Sequence, residues 1–158
     1  MAAIALSGCS NSATHQADMP ACTSTFDFGK KTETLGSSEQ LNTELRNAVQ
    51  RGDSFQLADV TRAAGWSDNW DRMVKVQVNI KAQQLNQNAG TTNCWANLPE
   101  SDGEGYRPPQ FYLFVKDGQP VQKVQWPDPW ALIDFGAHPA LTKDSTLGIT
   151  KGKIVAQP

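Results

Sequence analysis

Phe111-Tyr112-Leu113-Phe114-Val115-Lys116-Asp117-Gly118-Gln119-Pro120-Val121-Gln122-Lys123-Val124-Gln125-Trp126 is the stretch that decides the fold. Two runs, Phe111 to Lys116 and Val121 to Trp126, flank Asp117-Gly118, a dipeptide suited to a type I′ turn because both central residues need positive φ. The stretch predicts a β-hairpin. Its first arm is apolar on both faces, with Phe111, Leu113 and Val115 pointing one way and Tyr112 and Phe114 the other. A strand of that kind belongs in the middle of a sheet with a helix laid across it.

Upstream, Val74, Val76 and Val78 alternate with Lys75, Gln77 and Asn79, the pattern of a half-buried strand. Ser37 and Gln40 have the spacing of a capping box, Leu41, Leu45, Ala48 and Val49 then recur on one helical face, and Gly52 follows Arg51 as a stop. This predicts a helix over 38–51. Asn79 stands where it can cap a second helix carrying Ala82, Leu85 and Ala89 and closed by Gly90. Between the two, Phe55 and Leu57 alternate as a strand would, whereas Ala58 to Ala64 reads equally as a short helix ended by Gly65.

The remaining segments are shorter. Phe26 and Phe28 around Asp27 suggest an extended piece at a sheet edge. Residues 91–109, around Cys94 and Trp95, and residues 127–144, with Pro127, Pro129, Gly136 and Pro139, read as long loops. Leu147, Ile149, Ile154 and Val155 predict one or two closing strands. Helix, strand and helix followed by a run of strands predicts an α+β fold: an antiparallel sheet meander packed on one face by one or two helices.

The N-terminus carries a different kind of information. Met1-Ala2-Ala3-Ile4-Ala5 is a short apolar run leading into Leu6-Ser7-Gly8-Cys9, with two small residues before a thiol. The pattern resembles the lipobox of bacterial lipoproteins, in which cleavage before the cysteine leaves a lipid-modified Cys as the new N-terminus. No Lys or Arg precedes the run, and the run is shorter than the usual h-region of about 7–15 residues; a cytosolic N-terminus with a chance cysteine is the alternative. Residues 10–25 are small and polar without apolar periodicity, and read as a tether. The expected organisation is a truncated signal and lipobox over 1–9, a tether over 10–25 and a single domain over 26–158.

Cysteine usage agrees with export. Once Cys9 is assigned to lipid, Cys22 and Cys94 remain, and two thiols in an exported chain are expected to pair. The loop they would close is about 70 residues long, for which chain entropy allows roughly 4 kcal/mol of stabilisation. In a cytosolic chain the same residues would be buried free thiols.

Composition excludes several classes. The 158 residues carry 14 basic and 16 acidic side chains, a formal charge of -2, with no run of either sign. Neither a nucleic-acid surface nor a polybasic membrane patch is indicated. No segment approaches the roughly 18 consecutive apolar residues of a transmembrane helix, so membrane contact is expected only through lipid on Cys9. No P-loop, dinucleotide fingerprint, HExxH or EF-hand spacing occurs, and no cofactor or metal is expected.

The search for a catalytic set yields little. The two histidines are His15, in the expected tether, and His138, in a Pro-rich loop. His138 with Asp134 or Asp144 and Ser145 supplies the residue types of a hydrolase but not the strand–turn–helix context of a nucleophile elbow. Five tryptophans are the stronger hint. Trp66, Trp70 and Trp130 lie at borders of elements near Asp, Asn and Arg, where exposed rings could stack on sugars or anchor a protein partner. The structural reading, in which the same rings cap the core and Trp95 packs on the disulfide, is favoured because Trp is highly buried on average.

Trp70-Asp71-Arg72-Met73-Val74, Cys94-Trp95, the Phe-Tyr-Leu-Phe-Val strand and Leu147-Gly148-Ile149 together resemble uncharacterised small lipoproteins of actinobacterial type, over residues 38–155. The resemblance implies an envelope location and no activity. The expectation is a lipid-anchored, non-catalytic binding or accessory module for an envelope protein or a cell-wall glycan. The rival is an envelope hydrolase built on His138 with a nearby carboxylate and serine.

Overall fold

The computed structural model describes residues 21–127 and 132–158. In chain order the elements are β1 (Thr25–Asp27), α1 (Ser38–Arg51), β2 (Phe55–Gln56), α2 (Leu57–Ala63), β3 (Arg72–Val76), α3 (Ala82–Ala89), β4 (Cys94–Ala96), β5 (Phe111–Lys116), β6 (Gln119–Gln125), β7 (Ile133–Asp134), β8 (Ala140–Thr142), β9 (Thr146–Thr150) and β10 (Lys153–Ala156). The fold is α+β with predominantly antiparallel sheets.

The hairpin forms as its residues dictate. Asp117 and Gly118 take φ values of 48° and 72°, and Lys116 pairs with Gln119 across them. Val115 then pairs with Pro120 while Phe114 pairs with Gln122, which leaves Val121 as the extra residue of a bulge. Pro120 is tolerated because β6 is the edge of a four-stranded sheet ordered β6-β5-β3-β8. In that sheet β5 is central and buried from Phe111 to Val115, each side chain contributing about 1.5–3 kcal/mol of burial.

Its two faces build two cores. On one, Met73, Tyr112, Phe114 and Val124 pack with Leu41, Leu45 and Ala48 of α1, Leu57 and Val60 of α2, Trp66 and Trp70. On the other, Val74, Val76, Leu113 and Val115 pack with Leu85 and Ala89 of α3 and with Phe28. Helices therefore cover both faces, α3 being the addition to the cover expected on one.

A second four-stranded sheet, β2-β9-β10-β7, closes the first core, and a parallel pair, β1-β4, closes the second. Tyr112 Oη accepts from the Ile133 amide at 2.8 Å, so the second sheet is hydrogen-bonded to the first. Phe26, Phe28 and Trp95 cluster over the opposite face with ring centroids 5.2–6.2 Å apart.

α1 spans the expected 38–51. Ser37 Oγ accepts from the Gln40 amide, and Gly52 ends the helix at φ 76° with its amide on the Ala48 carbonyl. The open segment at 55–64 is both readings in succession, β2 and then α2. The strand at Val74 stops at Val76, and Asn79 does not cap α3: the N-cap is Lys81. Asn79 instead turns at φ 62° and accepts from the Ser101 amide, tying the loop after β4 to the end of β3.

Two expected loops contain strands. β4 lies within 91–109, and β7 and β8 lie within 127–144; at two or three residues each, they are too short to show a period of two. Cys22 and Cys94 are joined by a disulfide, and the Thr23 and Cys94 amides donate to the Thr92 and Ser24 carbonyls. From Cys22, then, part of the segment read as a tether is fastened to the domain, because the disulfide and the pairing of Thr23, Ser24 and Thr25 with residues 92–94 outweigh its polar composition.

Candidate functional site

A cleft of about 640 Å³ runs between the N-terminal half of α1 and the end of β6. Its position follows from the capping of α1. Ser37 starts the helix, and the spacing Ser38, Asn42, Arg46 then forms a polar stripe beside the buried Leu41 and Leu45.

Gln125, Trp126 and Pro127 form the opposite wall, and Gln122 of β6 anchors the segment that leads into α1. It is fully buried, its Oε1 accepts from the Leu35 amide at 2.7 Å, and its Nε2 donates to the Gly36 carbonyl at 2.9 Å and to Ser38 Oγ at 3.3 Å. This one carboxamide pins the lead-in to α1 onto β6. Asn42 Nδ2 donates to the Gln125 carbonyl and closes the same seam.

Several polar groups of the groove are already committed to protein partners. Lys31 pairs with Glu33 at 3.1 Å, and Glu33 also accepts from the Ser38 amide; these two donors hold its carboxyl below the ordinary 4.5. Two buried atoms are not committed: Asn42 Oδ1 and Trp126 Nε1 have no hydrogen-bond partner. One is an acceptor, the other a donor, and both residues line the groove. Trp126 packs its ring on Tyr112, with centroids 5.8 Å apart.

Two of the three tryptophans expected at a binding surface lie in the core. Trp66 and Trp70 are 6% and 0% exposed and pack on Phe114, so neither offers a ring face to a ligand. Trp66 also donates from Nε1 to the Ser37 carbonyl, which makes it a support of the α1 N-terminus. Trp130 lies outside the described residues, as do Cys9 and His15. Trp95 lines no described cleft; its Nε1 donates to Asn86 Oδ1.

The hydrolase set does not assemble. Among the described residues no side-chain hydrogen bond joins His138 to Asp134, Asp144 or Ser145. Asp134 Oδ1 accepts from the Gly136 amide, and Ser145 Oγ accepts from the Thr142 amide. Among the described residues no group of three His, Cys, Asp or Glu could hold a metal ion, and no helix is long and apolar enough to cross a membrane.

Trp126 and Asn42 were legible only in part. The stripe at 38, 42 and 46 is a readable helical spacing, but nothing local shows that the end of β6 lies against it. No protein-family model matches the chain, and no curated protein or solved structure matches it.

Proposed function

We propose that the protein is an exported, lipid-anchored, non-catalytic binding module whose α1–β6 groove takes a cell-wall glycan. The observation that carries the glycan reading is the lining of the groove, in which Trp126 stands beside Ser37, Ser38 and Asn42 and the charged Lys31, Glu33 and Glu39. An aromatic flank, hydroxyls, carboxamides and charges of both signs suit a polar, near-neutral chain better than an apolar ligand.

The address rests on the Leu6-Ser7-Gly8-Cys9 pattern, and the Cys22–Cys94 disulfide supports it, since such bonds persist in oxidising compartments. An exposed cytosolic disulfide would be reduced by the thiol pool.

The test is calorimetric titration of the full chain with soluble oligosaccharides released from cell wall, beside Asn42→Ala and Trp126→Phe. Saturable binding weakened at least tenfold by either substitution is expected. Binding that both variants retain would remove the groove from the reading, and no binding by the parent protein would remove the glycan.

A further inference from the structure

A second cleft, of about 300 Å³, lies where the end of β3, the start of α3 and the loop after β7 meet, and it shares no lining residue with the α1–β6 groove. Its chemistry is one-sided. Lys75 and His138 line it together with the carboxamides of Gln77, Asn79, Gln84 and Asn88, and no Asp or Glu does.

Lys75 is the centre of the argument. It is half-buried on β3, and its ammonium lies 4.9 Å from the centroid of the Phe135 ring. The ring face steadies the charge but accepts no conventional hydrogen bond, and among the described residues no carboxylate or carbonyl pairs with it. Asp134, at the end of β7, is exposed and accepts from the Gly136 amide. A half-buried cation with three unused donors favours an anion.

The neighbours supply more donors of the same kind. Among the described residues, the side chains of Gln77, Gln84, Asn88 and His138 find no hydrogen-bond partner. Asn79 has its oxygen committed to the Ser101 amide, leaving its NH2 group as the available end. The scaffold under them is fixed: the Ile80 amide donates to the Gln77 carbonyl, and the His138 amide donates to the Phe135 carbonyl.

We propose that this cleft binds a small oxyanion, the phosphate or carboxylate group of a soluble ligand, on Lys75 with the surrounding carboxamides and His138 as further donors. A neutral wall of amides around one cation discriminates by hydrogen-bond geometry as well as by charge.

The experiment is a two-dimensional amide and side-chain NMR titration of the full chain at constant ionic strength, with inorganic phosphate in one arm and acetate in the other. Saturable shifts on Gln77, Gln84 and Asn88 that Lys75→Met weakens at least tenfold are expected, and the arm that saturates identifies the oxyanion. Gln84→Ala, on the exposed side of α3, should weaken binding several-fold without touching the core, which separates loss of a donor from loss of fold. Shifts that do not saturate in either arm, or that persist in both variants, would overturn the proposal.

Discussion

Tyr112 and Ile133 join the two four-stranded sheets: the phenol oxygen of one accepts the amide of the other at 2.8 Å, with the Tyr112 side chain fully buried. Phe135 stacks on the same ring with centroids 6.1 Å apart. Tyr112→Phe keeps this stacking and leaves the buried Ile133 amide unpaired, at a cost of about 1–3 kcal/mol. Burial also pushes the phenol well above its ordinary 10.0, because ionisation would place a charge in the core. The folded value is the raised one, so the stability this group contributes is fully present below pH 10 and falls as alkali ionises the unfolded chain first. Urea unfolding at neutral pH should show the predicted loss in Tyr112→Phe, and repeated above pH 10 it should show a shallower alkaline decline than in the parent.

Gln122 is the buried polar residue on which the α1–β6 groove depends. Gln122→Leu fills the space but strands the Leu35 amide and the Gly36 carbonyl, for a loss of roughly 2–4 kcal/mol. The opening should be local at first. Hydrogen exchange is expected to accelerate at residues 35–38 and in the first turn of α1 before the central strands respond. Uniform acceleration across the sheet would contradict the pinning role.

The contrast between Leu113 and Gln122 shows what was legible in this chain. Leu113 belongs to an apolar run beside an Asp-Gly turn, and local chemistry alone places it in a central strand. Gln122 occupies the adjacent edge strand and reads as an ordinary polar position, yet it is fully buried because a segment 87 residues away brings amides to it. The same separation explains β1 and β4: three residues carry no measurable period, and their pairing is set by a partner distant in the chain. Trp66 and Trp70 were ambiguous for a related reason, since loop residues have no periodicity to assign a face. The groove needed α1 and β6 to be seen together; only its helical stripe at 38, 42 and 46 was readable.

Gly36 is held under Trp66. A Cβ built on it would lie 2.5 Å from Trp66 Cδ1, and that ring is in turn fixed by its hydrogen bond to the Ser37 carbonyl. Gly36→Ala therefore requires the ring or the lead-in to α1 to move, with a penalty of about 1–3 kcal/mol. Calorimetry should find a lower melting temperature together with altered near-ultraviolet circular dichroism from the displaced indole. An unchanged tryptophan signal would show that the backbone, not the ring, gives way.

The disulfide spans 72 residues and fastens the chain before β1 to β4. Removing it in a Cys22→Ser, Cys94→Ser double variant should cost roughly 4 kcal/mol by chain entropy. The folded pairing can outlast it. Thr23 still donates to Thr92, Phe28 to Ala96, and Phe26 and Phe28 remain against Trp95. The variant is expected to keep native circular dichroism with a lower urea midpoint, while proteolysis cuts preferentially near residues 21–25.

Asp27 closes the same corner from the other side. Its Oδ1 accepts from Asn97 Nδ2 and from the Gly29 amide, both at 2.7 Å, and these bonds, Asn97 first, hold the carboxyl below its ordinary 3.8. A lowered folded value means that the contribution is present above pH 3.8 and disappears as acid protonates the folded carboxylate. The group is exposed, so the effect belongs to the β1–β4 corner and not to global stability. In an acid titration followed by NMR, the Asn97 side-chain amide should shift with a midpoint below 3.8, and amide exchange in β1 should quicken over the same range. Asp27→Asn removes the titration but keeps a side-chain oxygen, so its β1 exchange should be pH-independent in that window once intrinsic rates are divided out. A variant in which β1 still loosens with the parent's midpoint would move the acid sensitivity of this corner to another group.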